Sequence, residues 1–227
     1  MQTLLRHRSE LLAAASQHVQ HLHKTLTQMN LQIHHVVNDI TGLTGLGIVD
    51  AILAGQRDGA ELAKLRDPRI KADSETIRKS LEGNWRPEHL FTLARSQDLY
   101  RVCQQQIVNC DLEIEKMLPE FEPRVDPAER PLPADRERKR ARRMQKWPPC
   151  PEFDLRTETH KLFGVDVTQI PGLQKNALSL FSEVGRDMSR WPSAGRFVSW
   201  LALCPDNDVS GKLLWRGARK VKDQAGH

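Results

Sequence analysis

The stretch from Leu5 to Ile40, LRHRSELLAAASQHVQHLHKTLTQMNLQIHHVVNDI, decides the fold because apolar residues recur along it every seven positions. The first series is Leu5, Leu12, Val19, Leu26, Ile33 and Ile40, and the second, three residues later, is Ala15, Leu22, Met29 and Val36. Two apolar positions per heptad are typical of a coiled coil. A continuous helix here would be about 55–60 Å long at ~1.5 Å per residue. It requires a partner helix, from a second chain or from later in this one.

A second long helix is predicted from Glu88 to about Leu118. Its apolar positions include Leu90, Leu93, Leu99, Val102, Ile107, Leu112, Ile114 and Met117. This segment is long enough to fold back on the first helix as an antiparallel hairpin. Between the two, turn residues divide the chain into short helices. We expect one to end near Gly55, one to be capped by Asp58, and one to run from Ser74 to Gly83.

Residues 119–151 are predicted to form a linker because they contain many prolines and few large apolar side chains. Its middle, RERKRARRMQK from Arg136 to Lys146, holds seven basic residues and one acidic residue, a net charge of +6. That exceeds the net charge of +5 for the whole chain of 227 residues. Such a block is typical of a solvated arm that contacts nucleic acid, and a solvated linker alone is the alternative. The candidate contacts are Arg136, Arg138, Lys139, Arg140, Arg142 and Arg143.

Residues 152–227 are predicted to form a small domain. Pro171 and Gly172 mark a turn between two short helices, with Lys175 close by and Leu178 and Phe181 on the buried face of the second helix. This arrangement resembles a helix-hairpin-helix, in which backbone N–H groups at the hairpin meet a phosphate. A plain helical hairpin is the alternative. The expected fold class is therefore mainly α: a long coiled-coil helical hairpin over residues 1–118, then the linker, then a small helix-hairpin-helix-containing domain.

The chain shows no signal peptide and no apolar run near the ~18 residues of a membrane span, so we expect a soluble cytoplasmic protein without a membrane partner. None of its four cysteines forms a C-x-x-C pair, so free thiols are expected. They are Cys103, Cys110, Cys150 and Cys204. Cys103 and Cys110 lie one heptad apart, which suits one face of a helix.

Histidines and carboxylates are the candidate metal ligands in this sequence. Five histidines, His18, His21, His23, His34 and His35, fall outside the apolar seam and have no carboxylate or cysteine at ligand spacing. A solvated helix face is the favoured interpretation, with metal binding as the alternative. The scattered carboxylates, Asp39, Asp50, Asp111, Glu113 and Glu115, are interpreted as surface charges. We therefore assign no metal ligand and no cofactor to this chain.

A serine nucleophile is the second possibility, and the candidate lies in WLALCPDNDVSGK, from Trp200 to Lys212. Ser210 and Gly211 supply a turn, but a nucleophile also needs a base or a positive field. The nearby basic residues are Lys212, Arg216, Arg219 and Lys220. The Gly-Lys pair does not complete a phosphate-binding loop, because the first glycine and the final hydroxyl residue are missing. On spacing alone, a plain turn is favoured over a nucleophile.

Several segments in order along the chain resemble one bacterial insertion-sequence transposase family. They are HVQHLHKTLTQMNLQIHHVVNDITGLTG (18–45), AILAGQRD (51–58), LRDPR (65–69), LEGNWRPEHLFTLARSQDLY (81–100), GVDVTQIPGL (164–173), SEVGRDMSRWPS (182–193) and FVSWLALCPDNDVSGK (197–212). The resemblance implies a RuvC-like nuclease domain with four acidic ligands (DEDD) for Mg²⁺, a dimerising coiled coil, and a C-terminal domain with a serine nucleophile. It also implies a structured RNA from the element that selects DNA sites. The serine before the glycine corresponds to Ser210.

This sequence departs from the family pattern in three ways. No residue maps to the four acids, so Mg²⁺ is expected only for the nuclease domain. One glycine, Gly211, follows the serine where the family has two. The family also continues into a further basic helix after ARKVK (218–222). We therefore expect a truncated copy that forms homo-oligomers through the coil, binds DNA at the bacterial nucleoid, and does not transpose alone. The alternative is a non-catalytic nucleic-acid-binding coiled-coil protein that regulates a full-length relative.

Overall fold

The structure, a computed structural model, describes residues 1–133, 151, 153–170, 173, 176–185, 187–200, 206–210 and 213–217. The chain divides into two compact units, Met1–Lys175 and Asn176–His227. The first unit contains α1 (Gln2–Gln28), α2 (Leu43–Leu53), α3 (Gly59–Ala63), α4 (Ser74–Ser80), α5 (Pro87–Met117) and α6 (Leu155–Phe163). The second contains α7 (Ala177–Val184), α8 (Ala194–Trp200), β1 (Asp206–Ser210) and β2 (Leu213–Gly217). The protein is mainly helical, which confirms the predicted fold class.

Helices α1 and α5 pack against each other in antiparallel orientation, which confirms the predicted hairpin. At the middle of α1, Ala15 packs with Tyr100, Cys103 and Ile107 of α5. Farther along α1, Leu22 and Leu26 share a second cluster with Leu93, which lies near the start of α5. The partner that the heptad pattern requires is therefore in the same chain. Cys103 and Cys110 are buried free thiols, as predicted, whereas Cys150 and Cys204 lie outside the described residues.

The prediction of one continuous helix to Ile40 is wrong, because α1 ends at Gln28. Asn30 adopts a left-handed backbone (φ 61°), a conformation that asparagine tolerates better than most residues. The chain then turns toward α4, and the N–H of Gln32 donates to the carbonyl of Ser80 at 2.8 Å. The later heptad residues Ile33 and Ile40 are buried among the short helices instead of along a coil. They share one core with Leu22 and Leu26 of α1, so the apolar pattern continues past the end of the helix.

The predicted short helices are present, and their caps follow from the sequence. The carboxylate of Asp58 accepts from the N–H of Ala60 at 2.8 Å and caps α3. Asp73 caps α4 in the same way, accepting from the N–H of Thr76 at 2.9 Å. Each cap satisfies an N–H group that has no partner within the helix. Buried apolar residues of α2, α3 and α4 join the end of α1 and the start of α5 in one core, with Ile48, Ile52, Leu62, Ile77 and Leu81 fully buried.

The interpretation of Asp111 as a surface charge is wrong. Its carboxylate forms a bidentate ion pair with Arg8, in which Nε donates to Oδ1, and Nη2 donates to Oδ2 at 3.2 Å. The two residues are 4% and 8% exposed. Arg8 lies near the start of α1 and Asp111 near the end of α5, so the pair ties together one end of the hairpin. By contrast, Asp50 is exposed and accepts hydrogen bonds from Arg101 on α5.

The second unit contains a β-hairpin that the sequence analysis did not predict. Strands β1 and β2 pair antiparallel, with Ser210 opposite Leu213 and Asp206 opposite Gly217. Two residues connect the strands, which is the shortest common hairpin loop, and glycine at its first position is typical of a type II′ turn. The sequence signal was therefore present in Ser210-Gly211 but was interpreted as an isolated turn. Among the helices of the described segments, none combines the length and apolarity needed to cross a lipid bilayer.

Candidate nucleic-acid interface

Ser210 is the last residue of β1, immediately before the two-residue connection. The backbone of Ser210 pairs with that of Leu213 in the ladder, and the two residues after it in the sequence lead to β2. Arg216 lies on the neighbouring strand opposite Asn207. It is three register positions from the Ser210–Leu213 pair, about 10 Å along the strands. The hairpin therefore carries the candidate nucleophile and one of its predicted basic neighbours on adjacent strands.

The other predicted contacts lie outside the described residues. In the linker these are Arg136, Arg138, Lys139, Arg140, Arg142 and Arg143, and in the C-terminal part they are Pro171, Gly172, Lys175, Lys212, Arg219 and Lys220. The predicted helix-hairpin-helix turn is among them, so this motif stays a prediction. The described segment before it holds a single 3-10 turn, Val167–Gln169, and α6 ends earlier, at Phe163.

The segment that leads to the predicted turn is fixed by Asp166. Its carboxylate accepts from the N–H of Thr168 at 3.1 Å and from Nε of Arg156, on α6, at 2.7 Å. Burial opposes ionisation of Asp166, but the hydrogen bonds from Thr168, Arg156 and Gln169 outweigh it and lower the pKa of this carboxyl. Gly164 ends α6 in a left-handed conformation (φ 74°). Asp166 is therefore a structural carboxylate that holds the 3-10 turn against α6.

The five histidines do not form one site. His34 and His35 have ring centroids 4.0 Å apart, and the His34 centroid is 6.5 Å from that of His23. His18 contacts His21 instead, at 5.9 Å. Burial, and then the neighbouring histidine, lowers the pKa of both His18 and His23, so both favour the neutral form. His18 and His23 are partly buried, so the prediction of a solvated helix face is wrong for these two.

Within the segments that the structure describes, no three His, Cys, Asp or Glu side chains are arranged to hold a metal ion. The Mg²⁺ that the family resemblance implies therefore has no fitting set of donors among these residues.

An aromatic cluster in the second unit was missed by the sequence analysis. Trp191, Phe197 and Trp200 have ring centroids 5.1 Å (Trp191–Phe197), 4.9 Å (Trp191–Trp200) and 6.3 Å (Phe197–Trp200) apart. Helix α8, which carries two of them, has no buried residue, and Trp200 is 41% exposed. The guanidinium carbon of Arg190 lies 5.3 Å from the Trp191 ring centroid, in cation–π contact. The available signal was the alternation of aromatic and arginine residues in RWPSAGRFVSW, residues 190–200.

Comparison with known proteins identifies one region. Residues 166–224 match the family model described as "Transposase IS116/IS110/IS902 family". No curated protein and no solved structure matches the chain. The matched region includes the aromatic cluster, the β-hairpin and Ser210. The match supports a transposase family for this part of the chain.

Proposed function

We propose that this chain acts in the transposition of a bacterial insertion sequence and that Ser210 is its DNA-cleaving nucleophile. The observation that carries the proposal is the position of Ser210 inside the matched region, at the end of a strand and directly before a two-residue hairpin loop. A serine nucleophile has to be presented at a fixed, accessible place beside positive charge. A serine at the end of a hairpin strand is consistent with the first requirement, and Lys212, Arg216, Arg219 and Lys220, all within ten residues of it in the sequence, would supply the second.

The proposed reaction is a transesterification. Oγ of Ser210 loses its proton and attacks the scissile phosphorus, so that a serine–DNA phosphodiester forms while the bond from phosphorus to one deoxyribose oxygen breaks. The departing DNA oxygen takes up a proton and leaves as a hydroxyl. Attack by a DNA hydroxyl on the serine phosphodiester reverses these steps and rejoins the strand. Arginine and lysine side chains stabilise the negative charge on the phosphate oxygens as the new bond forms.

The proposed partners are DNA and a structured guide RNA from the element. The basic residues of the linker, Arg136 to Lys146, would contact phosphates without reading sequence, so their contribution to binding should fall steeply with salt. Pro171, Gly172 and Lys175 would provide a second phosphate contact through the backbone of the predicted hairpin. In this proposal Mg²⁺ acts only in a nuclease domain whose four acids do not map to this chain.

The test is strand cleavage of DNA that carries the element's ends, in the presence of the RNA transcribed beside them. Ser210→Ala should abolish product because no other group replaces the attacking oxygen. Ser182→Ala is the matched control: it removes a serine within the same matched region whose Oγ donates to the carbonyl of Ser179 at 2.8 Å, inside α7. Equal cleavage by the two variants would exclude Ser210 as the nucleophile.

The alternative function is a non-catalytic nucleic-acid-binding protein that regulates a full-length relative through mixed oligomers. Exposed apolar side chains on α5 favour it: Phe91, Leu99, Val102 and Leu112 are 68%, 50%, 55% and 49% exposed. By helical spacing they lie on the side of α5 away from Tyr100 and Ile107, which face α1. The seam of α1 is already buried within the chain, so the outer face of α5 is the proposed oligomer surface.

Oligomerisation is tested by sedimentation of the whole chain at several concentrations. Val102→Glu places a charge in the exposed stripe and should shift the protein toward the monomer. Gln20→Glu adds the same charge at an exposed polar position of α1, outside this surface, and should leave the mass unchanged. A monomeric wild-type chain would contradict the proposal.

A further inference from the structure

The cluster of Trp191, Phe197 and Trp200 is unusual because it lies on the surface. Three rings in mutual contact normally fill a core, where each buries a large apolar area. Here α8 buries none of its residues, and Trp200 exposes 41% of its surface. Exposed aromatic groups of this kind mark binding sites more often than isolated exposed residues do.

Charge around the cluster indicates the chemistry of the ligand. Residues 185–200, GRDMSRWPSAGRFVSW, contain three arginines and one aspartate, a net charge of +2. Arg190 stacks on Trp191, and Arg196, between the aromatic residues in sequence, is exposed. Aromatic faces combined with arginines are the recurring features of single-strand binding surfaces, where bases stack on rings and cations contact phosphates. A base inside a duplex offers no free face to a ring, so the surface fits unpaired nucleotides.

We propose that Trp191, Phe197 and Trp200 form a stacking platform for unpaired nucleotides, with Arg190 and Arg196 as its phosphate contacts. The platform acts apart from strand cleavage, because it holds single-stranded segments without forming a bond to them. It rests on the proposed function only in taking nucleic acid as the ligand. Ser210→Ala should therefore leave it intact, so failure of the platform and failure of the nucleophile give different results.

The experiment measures fluorescence anisotropy of labelled oligonucleotides with the full chain across a salt series. The probes are short oligo-dT, oligo-rU and a DNA duplex of equal length. Trp200→Ala should weaken binding of a single strand about tenfold, the size expected for loss of one stacked base. Duplex binding should change less than about twofold, and the salt slope should stay constant because no phosphate contact is lost.

Two further variants separate stacking from other effects. Trp200→Phe should recover most of the affinity because phenylalanine retains a ring face. Leu43→Ala is the matched control: Leu43 is also a large apolar residue and is 83% exposed, but it lies on α2. It should leave single-strand binding unchanged. Trp200 is substantially exposed, so its replacement should also leave the helical circular dichroism unchanged.

Selective loss with oligo-dT, with oligo-rU or with both supports the platform and identifies which strand it holds. Equal loss with single strands and duplex would overturn it, because the cluster would then serve backbone binding alone. Unchanged binding of all probes would also overturn the platform. If Trp200→Ala changed the sedimenting mass without changing binding, the cluster would be assigned to contact with a second copy, and the platform would again be overturned.

Discussion

The buried ion pair between Arg8 and Asp111 gives the most direct test of the helical hairpin. Asp111→Ala removes the carboxylate that neutralises a guanidinium only 8% exposed. Breaking a buried pair from one side costs about 3–5 kcal/mol of unfolding free energy, because the remaining charge stays in a poorly solvated place. That is a large share of the ~5–15 kcal/mol typical of a whole domain. We therefore expect Asp111→Ala to be severely destabilised.

A double replacement and a surface control make this expectation specific. Arg8→Met combined with Asp111→Leu removes both charges and keeps apolar volume, so its stability should return to within about 1 kcal/mol of the wild type or exceed it. Glu113→Ala breaks an exposed pair two residues away, in which Oε1 lies 2.6 Å from Nζ of Lys116. It should cost less than about 0.5 kcal/mol.

The assay is urea denaturation followed by circular dichroism, with the free energy of unfolding extrapolated to water and the m-values compared. Equal m-values show that the same surface is exposed on unfolding in each variant. A loss below about 1 kcal/mol for Asp111→Ala, or a double variant no more stable than the single one, would refute the reasoning. Either result would mean that the pair is solvated and does not fix the end of the hairpin.

Three further predictions concern the first unit. Gly45→Ala should destabilise the protein by about 1–3 kcal/mol, because the new Cβ would meet the backbone of Ile40. Gly47→Ala has open space around it and should stabilise α2 by up to about 1 kcal/mol. Thermal unfolding of the two variants would compare these effects. The pKa of His23 lies below its ordinary 6.5, so the unfolded chain binds more protons than the folded chain just below that pH. The free energy of unfolding should therefore fall as the pH drops through 6.5, and it should fall less in His23→Gln. Urea denaturation at several pH values would show this difference. The pKa of Asp166 lies below its ordinary 3.8. The contribution of this carboxylate to folding stability is therefore complete above pH 3.8 and is lost as the pH falls through its pKa in the folded state. Asp166→Asn should weaken this acid dependence of stability.

The sequence predicted the pairing of α1 with α5 because helical periodicity depends only on local spacing. It did not predict the end of α1 at Gln28, because the same period continues through Ile33 and Ile40 and only Asn30 signals a change of direction. Burial of Arg8 could not be inferred either. Its partner is 103 residues away, and a charged residue on a helix is normally exposed.

The candidate site, too, was predicted only in part from the sequence. Spacing alone favoured a plain turn at Ser210, and only the family resemblance made the serine a candidate nucleophile. The β-hairpin was missed because its strands are five residues each and β1 is rich in polar residues, so no alternating pattern stands out. The aromatic cluster depends on the fold of residues 190–200, which brings Trp191 against two rings of the following helix. Sequence order shows the aromatic residues but not their contact.

The most direct test of the central claim is to trap a covalent protein–DNA adduct on a denaturing gel. The wild-type chain, Ser210→Ala and Ser182→Ala are each incubated with labelled DNA from the element's ends and the adjacent RNA. We expect a slower-migrating labelled species with wild type and Ser182→Ala that is absent with Ser210→Ala. Mass spectrometry should map the nucleotide to the peptide containing Ser210. An adduct that persists in Ser210→Ala, or no adduct under conditions where binding is intact, would contradict the claim that Ser210 cuts DNA.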